Sequence, residues 1–157
     1  MNAIATDARV MVIGYGNPLR GDDGVGWVAA QRLGERVQSE QITSIGVHQL
    51  TPELAETISK VDRVIFIDAA VNQPAGYLSY RSVEPVNAGR LMAHHLSPEA
   101  LLAMSKRLFG RCPQAHLITV GGECFEHRDD LSPAVERACE RLVVHLQEML
   151  CGVLCHA

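Results

Sequence analysis

The chain has 157 residues, 47% of them apolar and 20% charged, and 14 basic against 18 acidic side chains leave a formal net charge of −4. That length suits a single domain, residues 1–157, with a sizeable core, and the acidic balance argues against a protein that grips nucleic-acid phosphates. Apolar runs such as Val10-Met11-Val12-Ile13 and Val64-Ile65-Phe66-Ile67 are strand-sized, well short of the ~18 residues of a membrane span.

In chain order, residues 9–15 read as a buried strand, β-branched and ending in glycine and tyrosine. Residues 23–37 come next as a helix, with Val25, Val28, Ala29, Leu33 and Val37 at helical spacing. Residues 42–48 form a second strand. Thr51-Pro52-Glu53 predicts a helix start, with a hydroxyl at N-cap and proline at the first helical position. Residues 62–68 read as a strand covered on both faces, because Val64 to Ile67 is continuously apolar. Residues 77–83 alternate as an edge or antiparallel strand does. Ser97-Pro98-Glu99 opens a third helix, residues 115–120 make a further buried strand, and Ser132-Pro133-Ala134 opens the last helix. On that helix Val135, Ala138, Cys139, Leu142, Leu146, Met149 and Leu150 form one apolar stripe, which a single core absorbs; a monomer is favoured. The whole predicts an α/β fold: a mostly parallel twisted sheet, helices on both faces, one edge or antiparallel strand.

Residues 1–7 lack the basic and apolar regions of a signal peptide, and the five cysteines are scattered, without a C-x-x-C pair. Both features suit a reducing, cytoplasmic setting rather than a disulfide framework. Cys151, Cys155 and His156 offer a possible metal pinch, against the plainer reading of a cysteine on an apolar helix face and then a frayed tail.

Open α/β sheets bind ligands at the carboxyl ends of their strands, so the residues just past each strand matter most. After the first strand comes Gly14-Tyr15-Gly16-Asn17-Pro18-Leu19-Arg20-Gly21-Asp22-Asp23-Gly24-Val25-Gly26. Leu19 stands where a dinucleotide loop needs glycine, and two aspartates at a helix start repel a pyrophosphate. An acidic, glycine-rich loop suits a cation or a proton-transfer group better. Capping the helix is the plainer reading for either aspartate, but both cannot occupy one N-cap, so the pair leaves one carboxylate to be explained. Asp68 ends the central strand, as a functional residue or as an Asx-turn. His94 and His95 precede the Ser97-Pro98 helix start, and Glu123 stands just past the last strand as a further acidic candidate. Two carboxylates and an imidazole would make a mixed oxygen and nitrogen site for zinc, nickel or a similar divalent ion. Arg20 is either a partner for a substrate carboxylate or a solvated loop residue. The serine-nucleophile elbow, the zinc-protease helix motif and the aspartic-protease loop are absent from the sequence.

The first loop, with 62–69, His94-His95-Leu96-Ser97-Pro98, Gly122-Glu123 and 131–135, resembles the nickel–iron hydrogenase maturation endopeptidases over nearly the whole chain, in order. Such proteins remove a C-terminal extension from the hydrogenase large-subunit precursor after nickel insertion. The resemblance implies that Asp23, Asp68 and His94 form the metal-recognition and catalytic site, with nickel brought by the precursor rather than held permanently. The family often has glutamate where Asp23 stands, one methylene longer. His95 offers an alternative register; Leu96-Ser97-Pro98 favours His94. A non-hydrolytic nickel-binding accessory protein, metallochaperone or scaffold, is the alternative expectation.

Overall fold

The computed structural model describes residues 4, 7–86 and 95–154, the last two as backbone alone. Five strands, β1 (Val10–Tyr15), β2 (Ile42–Val47), β3 (Arg63–Ala70), β4 (Leu78–Val83) and β5 (Gln114–Gly121), form one sheet in the order β2-β1-β3-β5-β4. Every neighbouring pair is parallel except β4 with β5, which is antiparallel. The expected mixed sheet with one antiparallel edge strand is therefore present.

Strand periodicity divides the core in two. Val10 and Val12 of β1, Ile65 and Ile67 of β3, and Ile118 and Val120 of β5 face one way, onto α1 (Val25–Arg36) and α4 (Pro133–Leu154). Their chain neighbours Met11, Ile13, Val64, Phe66 and Leu117 face the other way, onto α2 (Leu54–Ser59) and α3 (Pro98–Phe109). This is why β3 reads as a continuous apolar run: both of its faces are covered. The stripe on α4 is spent on this core, with Val135, Ala138, Cys139, Leu142, Leu146 and Leu150 buried and Met149 partly so. At the surface Arg32 and Arg36 of α1 bridge Glu136 and Glu140 of α4, and the Arg32–Glu136 contact is 2.8 Å.

Two helix starts depart from the sequence expectation. The first helix does not begin at Asp23: residues Gly21–Gly24 form a 3-10 turn, Gly24 occupies the N-cap of α1, and neither aspartate caps it. Likewise Thr51 and Pro52 belong to a turn, and α2 starts at Leu54 with no side-chain cap. The turn closes through Leu54 N–H to Thr51 O at 3.1 Å and Ala55 N–H to Pro52 O at 3.0 Å, which delays the helix by two residues. Ser97 behaves as expected: its Oγ accepts from Ala100 N–H at 3.1 Å, Pro98 opens α3, and Gly110 ends it in the left-handed region at φ 72°. Ser97→Ala should cost about 1 kcal/mol, a fall of roughly 2–4 °C in melting temperature. An unchanged melting temperature would show that the cap contributes nothing.

Glycine sets how closely α1 approaches the sheet. A Cβ on Gly14 would overlap the Gly26 carbonyl oxygen, and one on Gly26 would overlap that of Ile67. Only bare backbone lets the start of α1 lie directly on β1 and β3. That contact holds the preceding 3-10 turn, with Asp22 and Asp23, over the carboxyl ends of the two strands.

Candidate functional site

The chain leaves β1 toward β2 through α1, on one face, and returns to β3 through α2, on the other. Between β1 and β3 the connections diverge, and an open α/β sheet presents its ligand crevice at such a point. A cavity of about 910 Å³ lies there. Tyr15, Asn17 and Asp23 contribute to it from β1 and the loop after it, and Asp68 from β3. His48, Leu50 and Pro52 line it from the β2–α2 connection, and His95, Leu96 and Met104 from the α3 side.

The two adjacent aspartates have separate tasks. Asp22 is fully buried. Its Oδ2 accepts from Glu123 N–H at 2.9 Å, Cys124 N–H at 3.0 Å and the Ser132 hydroxyl at 2.8 Å, while Oδ1 accepts from Ser132 N–H at 2.8 Å. Burial pushes this carboxyl up, but the four hydrogen bonds outweigh it and hold it below the usual carboxylate range. Close packing accompanies the bonds: a Cβ on Gly122 would sit 2.9 Å from Asp22 Cβ, and one on Gly21 2.6 Å from Cys124 O. Asp22 is a staple between the first loop and the segment that leads into α4. Ser132, expected as an N-cap, gives its hydroxyl proton to that staple.

Asp23 turns the other way and lines the cavity, with Oδ2 accepting from Asn17 N–H at 2.9 Å. Asp68 does not close its strand in an Asx-turn; β3 continues to Ala70, and Asp68 Oδ1 accepts from the adjacent Ala69 N–H at 2.8 Å. Burial raises the Asp68 carboxyl to about 6, opposed by the Ala69 N–H and the Tyr15 hydroxyl and reinforced by the charge of Asp23. Tyr15 is itself shifted upward, by burial first and by the Asp68 charge second. The pairing of Gly14 with Ile67 continues one step to place Tyr15 beside Asp68, on the α2 and α3 face.

Of the residues expected from the sequence, Asp23 and Asp68 meet at one cavity. His94 lies outside the described residues, and its neighbour His95 lines the cavity while largely exposed. Glu123 contributes its backbone N–H to Asp22, and its side chain is exposed. Cys151 packs against the α1 and α4 core, and Cys155 and His156 lie outside the described residues. Among the described residues no three His, Cys, Asp or Glu side chains gather closely enough to hold a metal ion by themselves. No helix among them is long and apolar enough to cross a membrane. Tyr15 and the β2–α2 wall are not among the residues that the sequence singles out. Tyr15 stands where the first strand runs into its glycine-rich loop, but no residue-type pattern there marks it as a site residue.

No protein-family model and no curated protein matches the chain. Solved structures do. The NiFe hydrogenase maturation protease HycI from Thermococcus kodakarensis KOD1 matches with a TM-score of 0.76 and 24% identity, covering 91% of this chain and 92% of its own. A hydrogenase 2 maturation peptidase from Thaumarchaeota archaeon SCGC_AB-539-E09 matches with a TM-score of 0.69 and 28% identity, over 90% and 97%. The hydrogenase maturating endopeptidase HybD from E. coli matches with a TM-score of 0.67 and 23% identity, over 89% and 93%. The fold resembles that of these proteins across about nine-tenths of the chain.

Proposed function

We propose that this protein is an endopeptidase that removes a C-terminal extension from a NiFe hydrogenase large-subunit precursor, reading the precursor's nickel through Asp23, Asp68 and a histidine of the His94-His95 pair. The observation that carries the reading is the meeting of Asp23 and Asp68 in one crevice at the switch point of the sheet. Asp68 is driven toward neutrality by burial and by the neighbouring carboxylate. A divalent cation entering there would relieve both effects, so the crevice is chemically suited to a substrate that brings a metal with it. Two committed carboxylates make a weak site for free ion, as a protein needs if it is to inspect a metal held by another. The fold shared with maturation proteases supports the same reading.

Nickel here belongs to the substrate. Docked against the carboxylates, it fixes which peptide bond lies over the crevice. A water attacks the scissile carbonyl carbon as its proton passes to a carboxylate of the crevice. That carboxyl hands the proton on to the amide nitrogen as the C–N bond breaks, releasing an acid and an amine. Asp68, which lines the crevice, is the carboxylate placed to accept that proton. Tyr15 keeps the acceptor oriented.

The test is mass-spectrometric: purified precursor, nickel-loaded and nickel-free, is incubated with the protein. Trimming of the loaded form alone is the expected result. Tight nickel binding without trimming of a cognate precursor would instead identify a metallochaperone or scaffold. Within the same assay, His94→Ala should slow processing at least about tenfold while His95→Ala leaves it near wild type, as expected for loss of one metal-reading group. The reverse order would assign the role to His95, which lines the cavity.

A further inference from the structure

The Arg20 guanidinium is not used by the proposed chemistry. Its backbone is held from several sides: its N–H donates to Asn17 O at 3.0 Å, its carbonyl accepts from Asp23 N–H at 3.2 Å, and it forms a parallel bridge with Arg128. The side chain is nonetheless exposed, and it lines the crevice. Asp22 and Asp23 lie close in sequence, yet Arg20 pairs with neither. Asp22 is fully engaged by Glu123, Cys124 and Ser132, and Asp23 accepts from Asn17. Among the described residues Arg20 has no salt bridge, and it is the one permanent cation among those that line the crevice. An anchored, unpaired guanidinium stands beside two carboxylates that it does not neutralise.

We propose that Arg20 is a specificity-determining residue that receives a carboxylate of the substrate polypeptide. The inference rests on the endopeptidase reading and adds to it a second recognition point. A guanidinium matches a carboxylate through two parallel N–H···O bonds, a geometry that lysine does not offer. The Asp23 and Asp68 end of the crevice repels an anion and attracts a cation, while Arg20 does the opposite. A polypeptide carrying a metal at one point and a carboxylate at another is therefore held in one direction only. The exposed Leu19, 62% accessible, extends this recognition tip with an apolar surface. The carboxylate comes either from an acidic side chain of the extension or from its chain end.

The experiment is steady-state processing of nickel-loaded precursor by wild type, Arg20→Gln and Arg20→Lys. It is repeated with precursors in which each acidic residue of the extension is replaced by its amide, and with one whose chain end is displaced by two added glycines. Arg20→Gln should raise KM about tenfold or more and leave kcat within about twofold, with Arg20→Lys between it and wild type. One precursor change should raise the wild-type KM equally and add nothing to Arg20→Gln. An amide substitution with that effect identifies a side chain, and the displaced terminus identifies the chain end. A KM within about twofold of wild type, a fall in kcat alone, or a KM rise that no precursor change reproduces would each overturn the inference. Failure of the wild-type protein to cut any cognate precursor would remove the endopeptidase reading and this inference with it. An unchanged melting temperature of Arg20→Gln confirms that the comparison is made on folded protein.

Discussion

Asp68→Asn should abolish precursor processing and, at neutral pH, make the protein more stable. The folded-state carboxyl sits at about 6, raised chiefly by burial and further by the charge of Asp23. A carboxyl raised on folding holds its proton more tightly in the folded chain than in the unfolded one. Its contribution to stability is therefore complete below the ordinary carboxylate pKa and disappears as pH rises through about 6. Above that, folding must keep a half-buried anion beside another anion, at a cost on the order of 2 kcal/mol after allowance for its remaining solvent contact. Asparagine keeps an oxygen for the Ala69 N–H and carries no charge. The variant's melting temperature should exceed wild type by about 4–8 °C at pH 7.5, and the two should converge near pH 4. Equal processing rates would remove Asp68 from the chemistry. A lower melting temperature at pH 7.5 would mean that the carboxylate stabilises the fold there.

Asp22 should respond in the opposite sense. Asp22→Ala leaves the N–H groups of Glu123, Cys124 and Ser132 without their acceptor in a fully buried place, a loss of about 3–5 kcal/mol. Asp22→Asn should fare little better, because its NH2 must face donors on one side or the other. A melting temperature lower by at least about 8 °C is expected at pH 7 for either variant. Hydrogen bonding lowers this carboxyl on balance, so its stabilisation is present above the ordinary carboxylate pKa and is lost as pH falls through the depressed value. The gap between wild type and Asp22→Asn should accordingly narrow in strong acid. A loss below about 1 kcal/mol in chemical denaturation would show that water replaces the staple. Processing should fall with stability, since Asp23 is the next residue.

The contrast between Asp68 and Asp22 marks the limit of what a sequence discloses. Asp68 is legible because a continuous apolar run names a central strand, and a polar residue at its carboxyl end stands where ligands bind. The doubled aspartate advertises that one carboxylate needs a task beyond capping, but not which one, nor that neither caps. The partners of Asp22 lie 101, 102 and 110 residues away. No local pattern encodes such contacts; they exist only once the sheet has closed. The same holds for the wall formed by His48, Leu50 and Pro52. It depends on the strand order β2-β1-β3-β5-β4, whereas periodicity reveals strands without their order. Thr51-Pro52 carries the right chemistry for a helix start, and the chain uses it for a turn instead.

The staple also bears on when the crevice can exist. A chain emerging from the ribosome presents Asp22 first and Ser132 only 110 residues later. Until the second segment is synthesised, the first loop holds a carboxylate that has no donors to justify its burial, and Asp23 beside it has no fixed position. The acidic crevice is therefore complete only once the segment that leads into α4 has been synthesised.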